Sequence, residues 1–400
     1  MYISKKKVSL VLIFCTTCLG LLSYFNSVNK LIAYFVIVLF ITLSSLNLLL
    51  DLRKSELRGL INRQSLICLL LMVTILVQII NGIEGEITIN DAIKFALFPL
   101  SFLYCCILAP NFLLKNNYEN TFLKFLIYPG IFLSLITLIT SFITALSYGG
   151  IDLTTLQTAQ FNIVHGLFDS NYQGAVVAVS SVVCIYLLFK NKGNKLYYSL
   201  ILMVNILNLI VLASRASLLS LALCIIIAII VYGSRKIKFL LLSGVAICGI
   251  LYCYYNNSIK LSPIFYYNIF DAERGSTGRI DIWKEILQKS TQKVFTGNGN
   301  NTLEITSLDL HNNLSSSHNS FIDFFAINGG IVLILYLIVL LIGVFKSFNH
   351  AKESAVFLVF ICIFVLMNFT THNLGGVSYV PQILGILLGI IFIHVKKKSK

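Results

Sequence analysis

Apolar runs close to twenty residues long recur along this chain of 400 residues. They fall at 8–25, 31–50, 64–80, 92–110, 125–147, 172–189, 196–213, 216–232, 239–255, 320–345, 355–369 and 377–395. A helix rises about 1.5 Å per residue, so each run is near the length that crosses a hydrocarbon core of about 30 Å. In that core every backbone N–H and C=O must be paired within the protein, which leaves only helices and closed barrels. The runs are continuous and do not alternate, which excludes a barrel. The expected fold is therefore an all-α polytopic membrane protein of about 12 transmembrane helices. Composition agrees: 57% of residues are hydrophobic and 12% charged, about half the charge of a soluble domain.

Charge sets the expected orientation. With the N-terminus inside, the inner segments hold 21 of the 30 basic residues and four of the 16 acidic ones, a net +17. The outer segments are left at −3. Every inner loop is net positive, as the positive-inside rule requires, so both termini are expected to be cytoplasmic. The overall charge of +14 is then a matter of topology and implies no nucleic acid partner. The start, MYISKKK, enters an apolar run without a small-residue cleavage site and is expected to remain as the first anchor. Ten cysteines lie in or beside apolar runs, where they read as small core residues, neither disulfides nor metal ligands.

One long polar interval breaks the pattern. The organisation reads as residues 1–255, transmembrane helices one to nine with an outer loop at 148–171; residues 256–319, a large extracytoplasmic loop; and residues 320–400, helices ten to twelve with a basic cytoplasmic tail. The large loop holds the only tryptophan, Trp283, and the candidates Arg274, Arg279 and His318.

Arg215, in VLASRASLL, lies between two apolar runs. A charge there is costly and should face a cavity or a partner; the plainer reading is an arginine reaching to lipid headgroups. Small neighbours, Ala213, Ser214, Ala216 and Ser217, permit close helix approach. Arg279, in STGRIDIWKEIL, heads a stretch with Ile280, Trp283 and Leu287 at near-helical spacing, expected to form a short amphipathic helix on the membrane surface with Trp283 at the interface. Arg279 could equally be a solvated charge pairing with Asp281 or Glu285. His318 and Asn319 stand at the entry to helix ten. A histidine suits general-base work near neutral pH, and a plain helix cap is the alternative. His311-Asn312 and His372-Asn373 are similar pairs on the same face, and spacing alone does not choose among the three. Asp169, in FDSNYQGA, is a further outer candidate that could also simply cap helix six. The glycines of FTGNGNNT could make a phosphate-cradling turn, but no P-loop lysine follows and no strand precedes. No cluster has metal-ligand spacing, so no metal and no cofactor is expected.

In order, FDSNYQGA, ASRAS, STGRIDIWKEIL, FTGNGNN and SSSHNSFIDFFAINGG resemble the O-antigen ligase/polymerase family, the Wzy-type polysaccharide polymerases and lipopolysaccharide O-antigen ligases. The resemblance covers roughly 165–345. One departure is that the glutamate often found between the family's histidine-asparagine pair and its glycine is absent, and FFAINGG offers Asn328. The resemblance implies a GT-C-like, metal-independent, inverting glycosyltransferase in the bacterial cytoplasmic membrane. Its donor would be a glycan on undecaprenyl diphosphate at the outer face. Arg215 and Arg279 would grip the diphosphate and His318 would act as base, with Asp169, Asn319 and Trp283 binding substrate. The acceptor would be another lipid-linked glycan for a polymerase, the reading the FDSN segment favours, or lipid A-core for a ligase. Membrane lipid and a chain-length regulator are the other partners implied. A polysaccharide flippase is the reading from a different class. Such a transporter should place ionisable groups at mid-membrane in matching halves, whereas the candidates here cluster on the outer face.

Overall fold

A computed structural model describes residues 5–25, 29–50, 54–84, 98–148, 170–234, 279–299, 317–349, 353–370 and 376–393, with Leu52, Thr155, Leu156, Thr158 and Ala351 besides. The regular elements among the described residues are all helices. Eight helices are long and apolar enough to cross a membrane, and three shorter apolar ones accompany them. These eleven stand at eleven of the expected positions; the run at 239–255 lies outside the described residues.

We number the helices α1 (Lys5–Leu19), α2 (Lys30–Leu49), α3 (Lys54–Arg63), α4 (Ser65–Glu84), α5 (Phe98–Lys115), α6 (Glu119–Phe125), α7 (Ile127–Ser147), α8 (Ser170–Phe189), α9 (Lys195–Leu212), α10 (Arg215–Tyr232), α11 (Arg279–Ser290), α12 (Ser320–Phe348), α13 (Val356–Leu366) and α14 (Tyr379–Ile393). The chain divides into two compact units that interleave in sequence.

The first unit takes residues 1–122, 276–349 and 363–400. At its centre α14 is buried on every side, which a helix apolar all round requires. Gly385 and Gly389 let it lie against α5: a Cβ at Gly385 would stand 2.7 Å from the Cβ of Cys105, and one at Gly389 would strike the ring of Pro110. At this contact α5 makes a π turn, Leu103–Leu108. The buried Gln64 donates to the Cys106 carbonyl there at 2.7 Å, pairing a backbone oxygen of the π turn. Hydroxyls and amides tie α1 to α2: Thr16 and Ser44 share a hydrogen bond of 2.8 Å, and Asn47 donates to Ser9 at 2.7 Å. Glu56 and Lys115 pair at 3.0 Å, so two segments that the charge pattern assigns to one face lie side by side.

The second unit takes residues 123–275 and 350–362. Here α8 is the buried helix, with α7, α9 and α10 packed on it. Its polar residues face inward. Ser134 donates to the Asn205 oxygen at 3.0 Å, and Asn205 donates to Ser180 at 3.0 Å. Thr137 donates to the Asn208 oxygen at 2.8 Å and accepts from Gln173 at 3.0 Å. Asn208 donates in turn to Ser134 at 3.2 Å. All six side chains are buried. Large apolar side chains point outward instead, among them Phe132, Ile139, Met203 and Leu219. Lipid tails do not drive helices together as water does, so interhelical hydrogen bonds and close packing supply much of the adhesion.

Candidate functional site

In the second unit SNYQGA, the described part of FDSNYQGA, meets ASRAS. Between α9 and α10 the chain turns through Ala213, whose φ of 50° is left-handed, so Arg215 becomes the first residue of α10. The turn packs under the start of α8. A Cβ at Gly174 would come within 2.6 Å of the Ser214 hydroxyl and 2.5 Å of the Ser217 hydroxyl, so only glycine allows this approach. Ser214 donates to Ser217 at 3.0 Å, a bond that closes the first turn of α10. Arg215 is half-buried beside it. The small residues flanking the arginine therefore do what their size allows, and they fix where the guanidinium begins.

In the first unit the large loop and the head of α12 form a second constellation. The stretch after Gly278 is a helix as expected, α11, with Arg279 as its first residue. Its buried face differs from the expected one. Ile280 and Leu287 are exposed, while Ile282 and Ile286 pack with Ala326 and Ile322 of α12. The helix thus spends its apolar face on protein. Trp283 is half-buried, and its indole N–H donates to the Ser317 carbonyl at 2.9 Å.

The glycine turn closes the other end of α11. Three of its N–H groups are taken: Gly297 donates to the Lys293 carbonyl at 2.8 Å, Asn298 to Ala326 at 2.8 Å and Gly299 to Ile327 at 3.2 Å. In return Gly330 donates to Val294 at 2.7 Å. Over Gly297–Gly299 the turn is thus a backbone latch onto α12 whose N–H groups are engaged with protein; Asn300, Asn301 and Thr302 lie outside the described residues. It fits because α12 is broken at Gly329, whose φ of 77° and ψ of 176° are open essentially to glycine alone. Asn81 of α4 donates to the Thr296 carbonyl at 2.8 Å, and Gln78 donates to Asn328 at 3.3 Å. Asn328 thus joins α12 to α4.

His318 stands just before the N-cap of α12. Its φ of 54° is left-handed, which is uncommon outside glycine. Both neighbours are sunk and bonded. Asn319 is the N-cap of α12: its side-chain oxygen accepts from the N–H groups of Phe321 and Ile322, and its amide donates to the Asn368 carbonyl. The Ser317 hydroxyl accepts from the Asn319 N–H at 3.0 Å, and the Ser317 N–H donates to Asp323 at 3.0 Å. His318 alone of the three remains partly exposed.

The structure thus gathers Trp283, His318 and Asn319 around the head of α12, places Arg279 at the start of the adjoining helix, and sets Arg215 in the second unit. Asp169, Arg274, His311 and His372 lie outside the described residues, as does most of the large loop. Asp323 belongs to the constellation although the motifs do not single it out. A lone carboxylate inside an apolar run was the available signal. Among the described residues no group of three His, Cys, Asp or Glu is placed to hold a metal.

Residues 198–337 match the O-antigen ligase family. The chain is 21% identical over 227 residues to the ComP-specific O-oligosaccharyltransferase of Acinetobacter baylyi (strain ATCC 33305 / BD413 / ADP1), a match over 50% of this chain and 41% of that relative. The chain therefore spans less than half the length of the curated relative it matches. No solved structure matches.

Proposed function

We propose, for a chain whose residues 198–337 are those of the O-antigen ligase family, a membrane enzyme that transfers a lipid-linked glycan to an acceptor hydroxyl. The observation that carries this reading is the extent of the family match, which takes in Arg215, Arg279 and His318 together. The donor is a glycan on undecaprenyl diphosphate, presented at the outer face of the bacterial cytoplasmic membrane, and the enzyme is of the GT-C kind. The acceptor oxygen attacks the anomeric carbon, the bond from that carbon to the phosphate oxygen breaks, and the lipid diphosphate leaves. His318 takes the proton of the acceptor hydroxyl. One such displacement inverts the anomeric configuration.

Arg215 and Arg279 each bind phosphate oxygens. A guanidinium stays charged and matches phosphate bidentately, so it suits charge that builds on a leaving diphosphate without a metal. His318 suits the base because a histidine side chain can accept a proton from a hydroxyl and the pinned turn presents it.

The comparisons favour transfer to an acceptor other than a second repeat unit. The family is described as O-antigen ligase, and the relative as an O-oligosaccharyltransferase. Lipid A-core is the acceptor the ligase reading names. Polymerisation is the second reading, favoured by the FDSNYQGA segment, and would bring a chain-length regulator as partner. The glycans of a strain lacking the protein distinguish them. Loss of ligation leaves long chains on undecaprenyl diphosphate and bare lipid A-core. Loss of polymerisation leaves single lipid-linked repeats. Normal glycans of every class would refute both.

A further inference from the structure

We propose that Asp323 is the positioning residue of His318, an inference that rests on the reading of His318 as the base. The residue lies one turn into α12 and is 1% exposed. One carboxylate oxygen, Oδ1, accepts the Ser317 N–H at 3.0 Å. The other, Oδ2, is buried and has no hydrogen-bond partner among the described residues. Burying a carboxylate against one small residue, whose N–H and hydroxyl are all it meets among the described residues, is unfavourable unless something else requires it. The helix end does not, because Asn319 already caps it with two backbone bonds.

What the bond does is fix the residue before His318. Ser317 is held three ways: its N–H by Asp323, its carbonyl by the Trp283 indole, and its hydroxyl by Asn319. The residues after His318 are held by the chain just beyond α13, with Ser320 donating through its N–H to Met367 at 2.9 Å and through its hydroxyl to Thr370 at 2.6 Å. Between these anchors only His318 takes a left-handed φ and stays partly exposed. Without the Asp323 oxygen the Ser317 N–H has no partner on that side, and the turn relaxes toward an ordinary backbone. The imidazole then leaves the acceptor hydroxyl, while Arg215 and Arg279, the residues proposed to hold the donor diphosphate, are unchanged.

The consequence is a split between turnover and donor affinity. Asp323→Ala is expected to lower kcat about 30-fold with the donor KM within twofold, in protein that inserts and purifies as a single species. Asp323→Asn keeps an acceptor oxygen of the same shape and should recover most of that loss, to within about threefold of wild type. A structural lesion would instead lower the amount of folded protein and raise KM alongside. The decisive comparison uses the His318→Ala background, where Asp323→Ala should cost no further activity because its route is already gone. Four results would overturn the proposal: wild-type kcat in Asp323→Ala, a rise in KM that accounts for the loss, an Asp323→Asn enzyme as poor as Asp323→Ala, or full additivity with His318→Ala. Should His318→Ala itself turn over normally, the histidine reading fails, and that outcome is separate from these four.

Discussion

The indole N–H of Trp283 donates to the carbonyl oxygen of Ser317 at 2.9 Å, so the one tryptophan of the chain braces the residue that precedes His318. This bond links α11 to the head of α12, two elements separated in sequence by a long polar loop. Trp283→Phe keeps the aromatic body and removes the donor. A neutral hydrogen bond is worth about 0.5–1.5 kcal/mol net, so transfer in membranes should fall about threefold to tenfold at equal protein level. Trp283→Ala, which also loses packing, should fall further. A Phe variant indistinguishable from wild type would show that the bond does not bear on catalysis.

Gly297 and Gly329 form the latch at the other end of α11. A Cβ on Gly297 would stand 2.6 Å from the Gly329 nitrogen, and one on Gly329 would meet the carbonyl of Phe295. Backbone cannot step aside as a side-chain tip can. Gly329→Ala should therefore destabilise the protein by about 1–3 kcal/mol from the dihedral alone, with the collision added. Gly299 is the internal control: its φ is also positive, at 71°, but among the described residues its Cβ would have only the Asn81 Cβ nearby, at 3.8 Å. Thermal unfolding of the purified protein should rank Gly329→Ala and Gly297→Ala well below Gly299→Ala. Equal melting of all three would contradict the latch.

Much of the fold is legible in the apolar runs, because length and continuity alone decide that a segment spans a membrane. The candidate site is less so. Its helix α11 can be expected from spacing, yet Ile280 and Leu287 of the expected stripe are exposed and only Trp283 turns toward protein. The true contact, Ile282 and Ile286 on Ala326, depends on a partner helix about forty residues away. Gly297 and Asn298 read as a turn, but that their N–H groups serve the break in α12 is a tertiary fact. Asn319 as a cap is local and follows from its position. Asp323 is visible as a buried charge, whereas its bond to a backbone N–H upstream is not.

The buried amides of the second unit offer a prediction about folding alone. Asn208→Leu removes a donor to Ser134 and an acceptor for Thr137. Interhelical hydrogen bonds in membrane proteins average about 0.6 kcal/mol, with values up to roughly 1.7. Melting in detergent should drop by an amount corresponding to about 1–2 kcal/mol, and the surviving folded enzyme should keep its donor KM. An unchanged melting temperature would show that the polar cluster adds nothing to adhesion.

The arginines should fail differently from the residues that position His318. Arg215→Ala and Arg279→Ala should each lower transfer at least about a hundredfold, since removing one preorganised contact to developing charge costs on the order of 3–4 kcal/mol. Lysine at either position keeps the charge, loses the fork and should rescue only partly. Transfer should also survive chelation of divalent ions. Activity lost to EDTA and restored by a divalent cation would refute leaving-group stabilisation by arginine alone.

Transfer from a purified lipid-linked glycan is the measurement on which the enzyme reading depends. Wild-type protein reconstituted with glycan on undecaprenyl diphosphate and an acceptor should release lipid diphosphate and form the new glycosidic bond. The His318→Ala enzyme should bind the donor nearly as well and turn over about 10²–10⁴ times more slowly, the range removed with a general base. Wild-type rates from His318→Ala, with Arg215→Ala and Arg279→Ala equally active, would contradict the proposed mechanism outright.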